Sequence, residues 1–160
     1  MNTQTLLFIP VIYLLVVSLP IVVSDLRVAR VPNKYTLPSL YLWLICAGTY
    51  VVFSGDYKIW LGSFVLPFIC GVATLVAGVY FSGRKWIGMG DVKLFVFMGL
   101  SLSWKSAWVW LLIPAGSLLI ALIVFVIYYF AGKFDKPTYI RLAPAVYVVY
   151  LVITATLFLN

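Results

Sequence analysis

Four aspartates make up the whole acidic inventory of this chain: Asp25, Asp56, Asp91 and Asp135, with no glutamate and no histidine beside them. General acid–base chemistry draws on histidine or on carboxyl groups whose surroundings set them apart, so any such chemistry here falls to aspartates. Asp25 stands in VVSDLRVARVPNKYT and Asp91 in GMGDVKL, each at the boundary of an apolar run. Two carboxyl groups sharing one proton can activate a water with one member and protonate a leaving group with the other. Asp91 opens a predicted helix, where the positive end of the helix dipole favours the anion, and Asp25 closes one, where the negative end disfavours it. On that ground Asp25 is the more frequent holder of the shared proton, within a pair that titrates as a unit.

The residues around these two aspartates have readings of their own. Gly88 and Gly90 let the backbone turn or be approached closely, as a peptide lying beside a carboxylate requires, and they equally suit a loop before a helix. Lys93 is two positions from Asp91, a helical spacing that does not put both on one face. It can tune the aspartate, hold substrate carbonyls, or simply snorkel at the boundary. Pro32 and Asn33 suit a turn, with Asn33 placed to support the Asp25 loop by hydrogen bonding, and Thr36 with Pro38 suits the start of the second apolar run. Asp56 in SGDYK and Asp135 in GKFDKP read as solvated turn residues. Cys46 and Cys70 fall inside apolar runs without CxxC spacing, and no histidine completes a metal set, so both read as packing residues and no metal site is expected.

These groups must be positioned by elements that live in lipid. The chain is 65% hydrophobic and 9% charged, with a mean hydropathy of +1.15; a soluble domain with a polar exterior is excluded. Apolar segments run over about 6–23, 37–53, 59–81, 94–103, 107–131 and 142–159, and five of them approach the roughly 20 residues needed to cross the hydrocarbon. The fourth is too short to cross alone, so a crossing recruits GMGD. MNTQT lacks the basic region of a secretory signal, and the first run reads as a retained span.

Counting basic residues decides whether the fourth segment crosses. With six crossings, Arg27, Arg30, Lys34, Arg84, Lys85, Lys93, Lys133, Lys136 and Arg141 fall on one side and Lys58 and Lys105 on the other, nine against two. If the fourth segment dips in and returns, the division becomes seven against four. The positive-inside rule selects six crossings. The expectation is an all-α membrane protein of six transmembrane helices with a short fourth helix, both termini outside, and residues 1–160 forming a single domain. The net charge of +7 is then topology rather than a nucleic-acid footprint, and the tryptophans, among them Trp60, Trp86 and Trp104, fit an interfacial belt.

SDLRVARVPN and GMGDVKL resemble the two aspartate motifs of the type IV prepilin peptidases, most closely the short enzymes that serve Flp or tight-adherence pili. YIRLAPAVY, residues 139 to 147, resembles the proline-containing stretch before the last helix of those enzymes and brings Pro144 into the candidate set. The resemblance implies Asp25 and Asp91 as the catalytic pair of a multi-pass endopeptidase in the inner membrane. Such an enzyme cuts the basic leader from prepilin-like proteins at the cytoplasmic face, typically after a glycine, and its partners are lipid and a substrate with an N-terminal hydrophobic helix. No metal or organic cofactor is implied. Larger members carry paired cysteines in an extra cytoplasmic segment and also N-methylate the new terminus; only 24 residues precede Asp25 and no cysteine pair exists here, which argues against methyltransferase activity.

Two rivals come from other classes. Intramembrane carboxylates also form proton relays in transporters, although transporters usually show paired repeats of broken helices, and none is visible here. A small assembly subunit that binds pilin-like helices without cutting them is the third reading.

Overall fold

The computed structural model describes residues 3–28, 31–55, 57–83, 88–130 and 142–159, and among these there is helix and no strand. A 3-10 turn at Thr3–Leu7 leads into α1 (Phe8–Val28), followed by α2 (Asn33–Ser54), the short α3 (Tyr57–Trp60), a π-helical turn at Leu61–Val65, α4 (Leu66–Gly83), α5 (Met89–Leu102), α6 (Val109–Phe130) and α7 (Ala143–Leu159). Four stretches are long and apolar enough to cross a membrane: Thr5–Val28, Asn33–Ser54, Leu61–Tyr80 and Val109–Ile127. Ala143–Leu159 is a shorter apolar helix.

Helix is what the physics of a lipid environment demands, because only a helix satisfies every backbone group within its own segment. Which face turns inward is set by side chains. In α1 the buried residues include Leu14, Ser18, Ile21 and Asp25, spaced by three or four, while Ile12, Val16, Leu19, Val23 and Leu26 form an exposed stripe on another side. Both stripes are largely apolar, so the serine and the aspartate distinguish interior from lipid. Asp25 is therefore the last member of the inward row.

α5 is the central helix. Val92 and every residue from Leu94 to Leu102 are buried, and α5 packs against α1, α2, α4, α6 and α7. A helix that is apolar all round belongs inside, which explains why the shortest of the apolar segments needs no lipid-facing side. Its neighbours come close because small residues let them. At Gly78 of α4 an added Cβ would run into the Val92 side chain, and at Gly99 of α5 it would lie 2.8 Å from the Trp110 ring. Close approach at small residues is how helices associate where lipid removes the hydrophobic drive between them. Ser101 and Tyr150 add a buried hydrogen bond between α5 and α7, with hydroxyl oxygens 2.9 Å apart.

The far ends of three elements meet in an aromatic cluster. Phe8, at the start of α1, lies 5.4 Å from Trp104 and 4.8 Å from Phe158 near the end of α7, ring centre to ring centre. The Lys105 ammonium sits over both the Trp104 and Phe158 rings. The tryptophans divide between two environments, contrary to a uniform belt. Trp60 and Trp108 are exposed, but Trp43 is buried and stacks on Phe64 at 5.3 Å. Trp86, Asp56, Asp135 and the counted basic residues Arg30, Arg84, Lys85, Lys133, Lys136 and Arg141 lie outside the described residues.

The second helix also begins earlier than the apolar run suggests. Pro32 is its N-cap and Asn33 its first residue, with Pro38 inside the helix rather than at its start. Proline fits the first turn of a helix without losing a hydrogen bond; at Pro38 the turn gives one up.

Candidate active site

Asp25 and Asp91 arrive at one cavity from different directions. Asp25 sits in the last turn of α1 and is only 7% exposed. Asp91 sits in the first turn of α5. Both line a cavity of about 560 Å³, together with Val28, Pro32, Asn33, Gly88, Gly90 and Lys93 among others, and the two carboxyl groups are near enough for their charges to act on each other. A volume of that size lies within the several-hundred-Å³ range of ligand pockets.

The GMGD stretch is a helix start with defined parts. Gly88 is the N-cap in extended conformation, and its carbonyl accepts from the backbone N–H groups of Asp91 and Val92 at 3.0 and 3.3 Å. The Asp91 carboxylate reaches back to accept a hydrogen bond from the Gly88 backbone. That is the return half of a capping box, in which the third helical residue satisfies the cap's own N–H. The space for this fold-back is tight: a Cβ on residue 88 would stand 3.0 Å from Asp91 Oδ2.

Gly90 has a different reason. A Cβ there would lie 2.8 Å from Val31 Cγ2 and 2.9 Å from Val31 Cβ, closer than side-chain carbons approach. Val31, just before α2, therefore presses directly on the first turn of α5, and this contact joins the two aspartate-bearing segments. Val31 was not singled out in the sequence; a bulky residue just before Pro32 opposite a glycine carries no signal until the two segments are known to touch.

Lys93 and Asn33 complete the wall. The Lys93 Nζ donates to Asn33 Oδ1 at 2.8 Å, a second link between α5 and the start of α2. Lys93 and Asp91, two positions apart on α5 and so not on one helix face, line the same cavity. Gly88, Met89, Gly90, Asp91 and Lys93 all contribute to the cavity lining at the start of α5, and the four-carbon stem of Lys93 carries its ammonium to the Asn33 amide. Pro144 lies in the first turn of α7 and is not among the residues that line the cavity. The remainder of the YIRLAPAVY stretch up to residue 141 is outside the described residues.

The electrostatics of the cavity follow from helix direction. Both α2 and α5 begin at it, so two sets of first-turn N–H groups and two positive dipole ends face it, against one negative end from α1. Negative charge that develops in such a place is stabilised by groups already fixed in position.

A family model described as the type IV leader peptidase family matches residues 12–132, a stretch that holds both aspartates, Gly88, Gly90, Lys93 and Asn33 and excludes Pro144. No curated protein and no solved structure matches the chain at a significant level.

Proposed function

The chain belongs to the type IV leader peptidase family, and from that membership we propose that it is a membrane-embedded aspartic endopeptidase that removes the leader of prepilin-like proteins at the cytoplasmic membrane face. The observation that carries the reading is the meeting of Asp25 and Asp91, remote in sequence, on one cavity. One carboxylate takes a proton from a water as it attacks the scissile carbonyl; the other, as the acid, gives its proton to the departing amine. Gly88 and Gly90 shape the wall beside Asp91, and Pro144 acts at a distance by fixing the start of α7.

The bundle supports a crossing by α5. Its first turn meets Asp25 near the end of α1, and the turn after its last residue meets Phe8 at the beginning of α1. A segment that dipped in and returned would bring both its ends to the same end of α1. Six crossings then put both termini on the side away from the aspartates and the basic loops with them in the cytoplasm, as expected of a single inner-membrane domain over residues 1–160. The substrate class is a protein with a basic leader followed by an apolar helix.

The test is co-expression of a candidate prepilin with this chain. Wild type shortens the prepilin, whereas Asp25→Asn and Asp91→Asn leave it full length. Full processing by both variants overturns the reading, and proton flux through vesicles holding the protein without peptide favours a transporter.

A further inference from the structure

We infer that Asn33 and Lys93 form the electrophilic wall of the cavity, donating hydrogen bonds to the scissile carbonyl oxygen as it becomes an oxyanion, with Lys93 fixing the orientation of the Asn33 amide. This rests on the peptidase reading of the same cavity and adds what that reading lacks. Two carboxyl groups can manage the protons of water and amine; with the one acidic proton committed to the amine, fixed donors elsewhere serve the charge that gathers on the carbonyl oxygen.

The chemistry of the pair determines which atoms are available. An ammonium has three N–H donors and no acceptor, so the Asn33 atom that faces Lys93 Nζ at 2.8 Å is the amide oxygen. The amide therefore has its acceptor occupied and keeps two N–H donors, and Lys93 keeps two more. Both residues line the cavity that holds Asp25 and Asp91, so one part of its wall is carboxyl and another is donor. Their anchorage suits the task. Asn33 is the first residue of α2 and Lys93 is in the second turn of α5, both on helices rather than on a mobile loop, and each helix directs its N-terminus to the same space. Fixed donors at a site of developing charge are worth most when they need no rearrangement.

The step is ordinary hydrolysis. Water oxygen bonds to the carbonyl carbon while a carboxylate takes the water's proton, and the C=O electron pair moves onto oxygen, where the Asn33 and Lys93 donors hold it. Collapse restores C=O and breaks C–N, with the amine receiving the proton of the carboxylic acid.

The experiment uses the full-length protein in detergent with a synthetic peptide made of a basic leader, a glycine and an apolar helix of about 20 residues. Cleavage by wild type and none by Asp91→Asn secures the parent reading; if wild type leaves the peptide intact or Asp91→Asn cuts it, that reading falls and this one with it. The decisive variant is Asn33→Asp, which keeps an acceptor for Lys93 and removes the amide donors. With each variant assayed at its own pH optimum, so that an added carboxylate is not mistaken for lost catalysis, the expected result is a kcat lower by about 100-fold. KM should stay within about threefold and the thermal midpoint should not fall. Lys93→Met shows a comparable kcat loss, partly restored in Lys93→Arg. If Asn33→Asp keeps kcat within about threefold of wild type while Asn33→Ala loses stability, the pair is only a strut between α2 and α5, and the inference is overturned.

Discussion

At the scale of single residues, Asp91 has two tasks for one carboxyl group: it closes the N-terminus of α5 by accepting from the Gly88 backbone and it supplies half of the proposed acid–base pair. Substitution separates them. Asparagine keeps an oxygen for the Gly88 N–H and cannot exchange a proton in the required way, so Asp91→Asn should fold like wild type and leave the prepilin uncut. Asp91→Ala removes both functions and should lower stability further, by about 1 kcal/mol, the usual worth of a cap; thermal unfolding of the two variants in the same detergent measures the difference. The pair also dictates a pH dependence. Catalysis needs one carboxylic acid and one carboxylate, so the rate falls on the acid side as the carboxylate is protonated and on the alkaline side as the acid ionises. A bell-shaped kcat/KM profile for wild type is expected, and a profile flat across both limbs would remove the pair from the mechanism.

At the scale of elements, the site depends on Val31, at the entry to α2, lying against the first turn of α5. Gly90→Ala puts a methyl group where the Val31 side chain already is, and Val31 must retreat. The expected outcome is at least a roughly tenfold loss of cleavage, in line with the sensitivity of catalysis to misplacement on the order of 1 Å. Val31→Gly in the same chain removes the obstructing carbons and should restore most of the activity; failure of that rescue would mean that Gly90 acts through something other than this contact. The two aspartate segments and the helical class were legible in the sequence, because apolar runs of this length in lipid satisfy their backbone only as helices. The contact between them was not, since it depends on Val31, which no pattern marks. The inward row Leu14, Ser18, Ile21 and Asp25 was legible in principle: Ser18 sits seven residues before Asp25, on the same side of the helix. Pro144 shows the opposite case, a residue admitted by resemblance that stands in the first turn of α7 and is not among the residues lining the cavity. The division of the tryptophans follows the same logic, for Trp43 and Trp110 are held by helix packing that composition cannot reveal.

At the scale of the whole molecule, α5 and α1 run the length of the bundle in opposite directions. Phe8 to Asp25 covers 17 steps of helix, about 26 Å, and the 14 residues of α5 cover about 21 Å before the Ser103–Trp104 turn extends them. Both approach the roughly 30 Å of hydrocarbon, and the proposed six crossings put the aspartates and the Phe8–Trp104–Phe158 cluster on opposite membrane faces. Single cysteines test this directly once Cys46 and Cys70 are replaced by serine. Cysteine at Ser106, beside Lys105, should react with a membrane-impermeant maleimide in intact cells. Cysteine at Lys34, exposed on the second residue of α2, should react only after the membrane is opened. Equal reactivity of both in intact cells would return the fourth segment to a loop that enters and leaves by one face. The basic residues would then divide seven against four, and the cavity would open on the side where prepilin leaders are not found. Opposite reactivity leaves the carboxyl pair where a leader still in the cytoplasm meets an apolar helix already in the bilayer, the junction at which such a substrate must be cut.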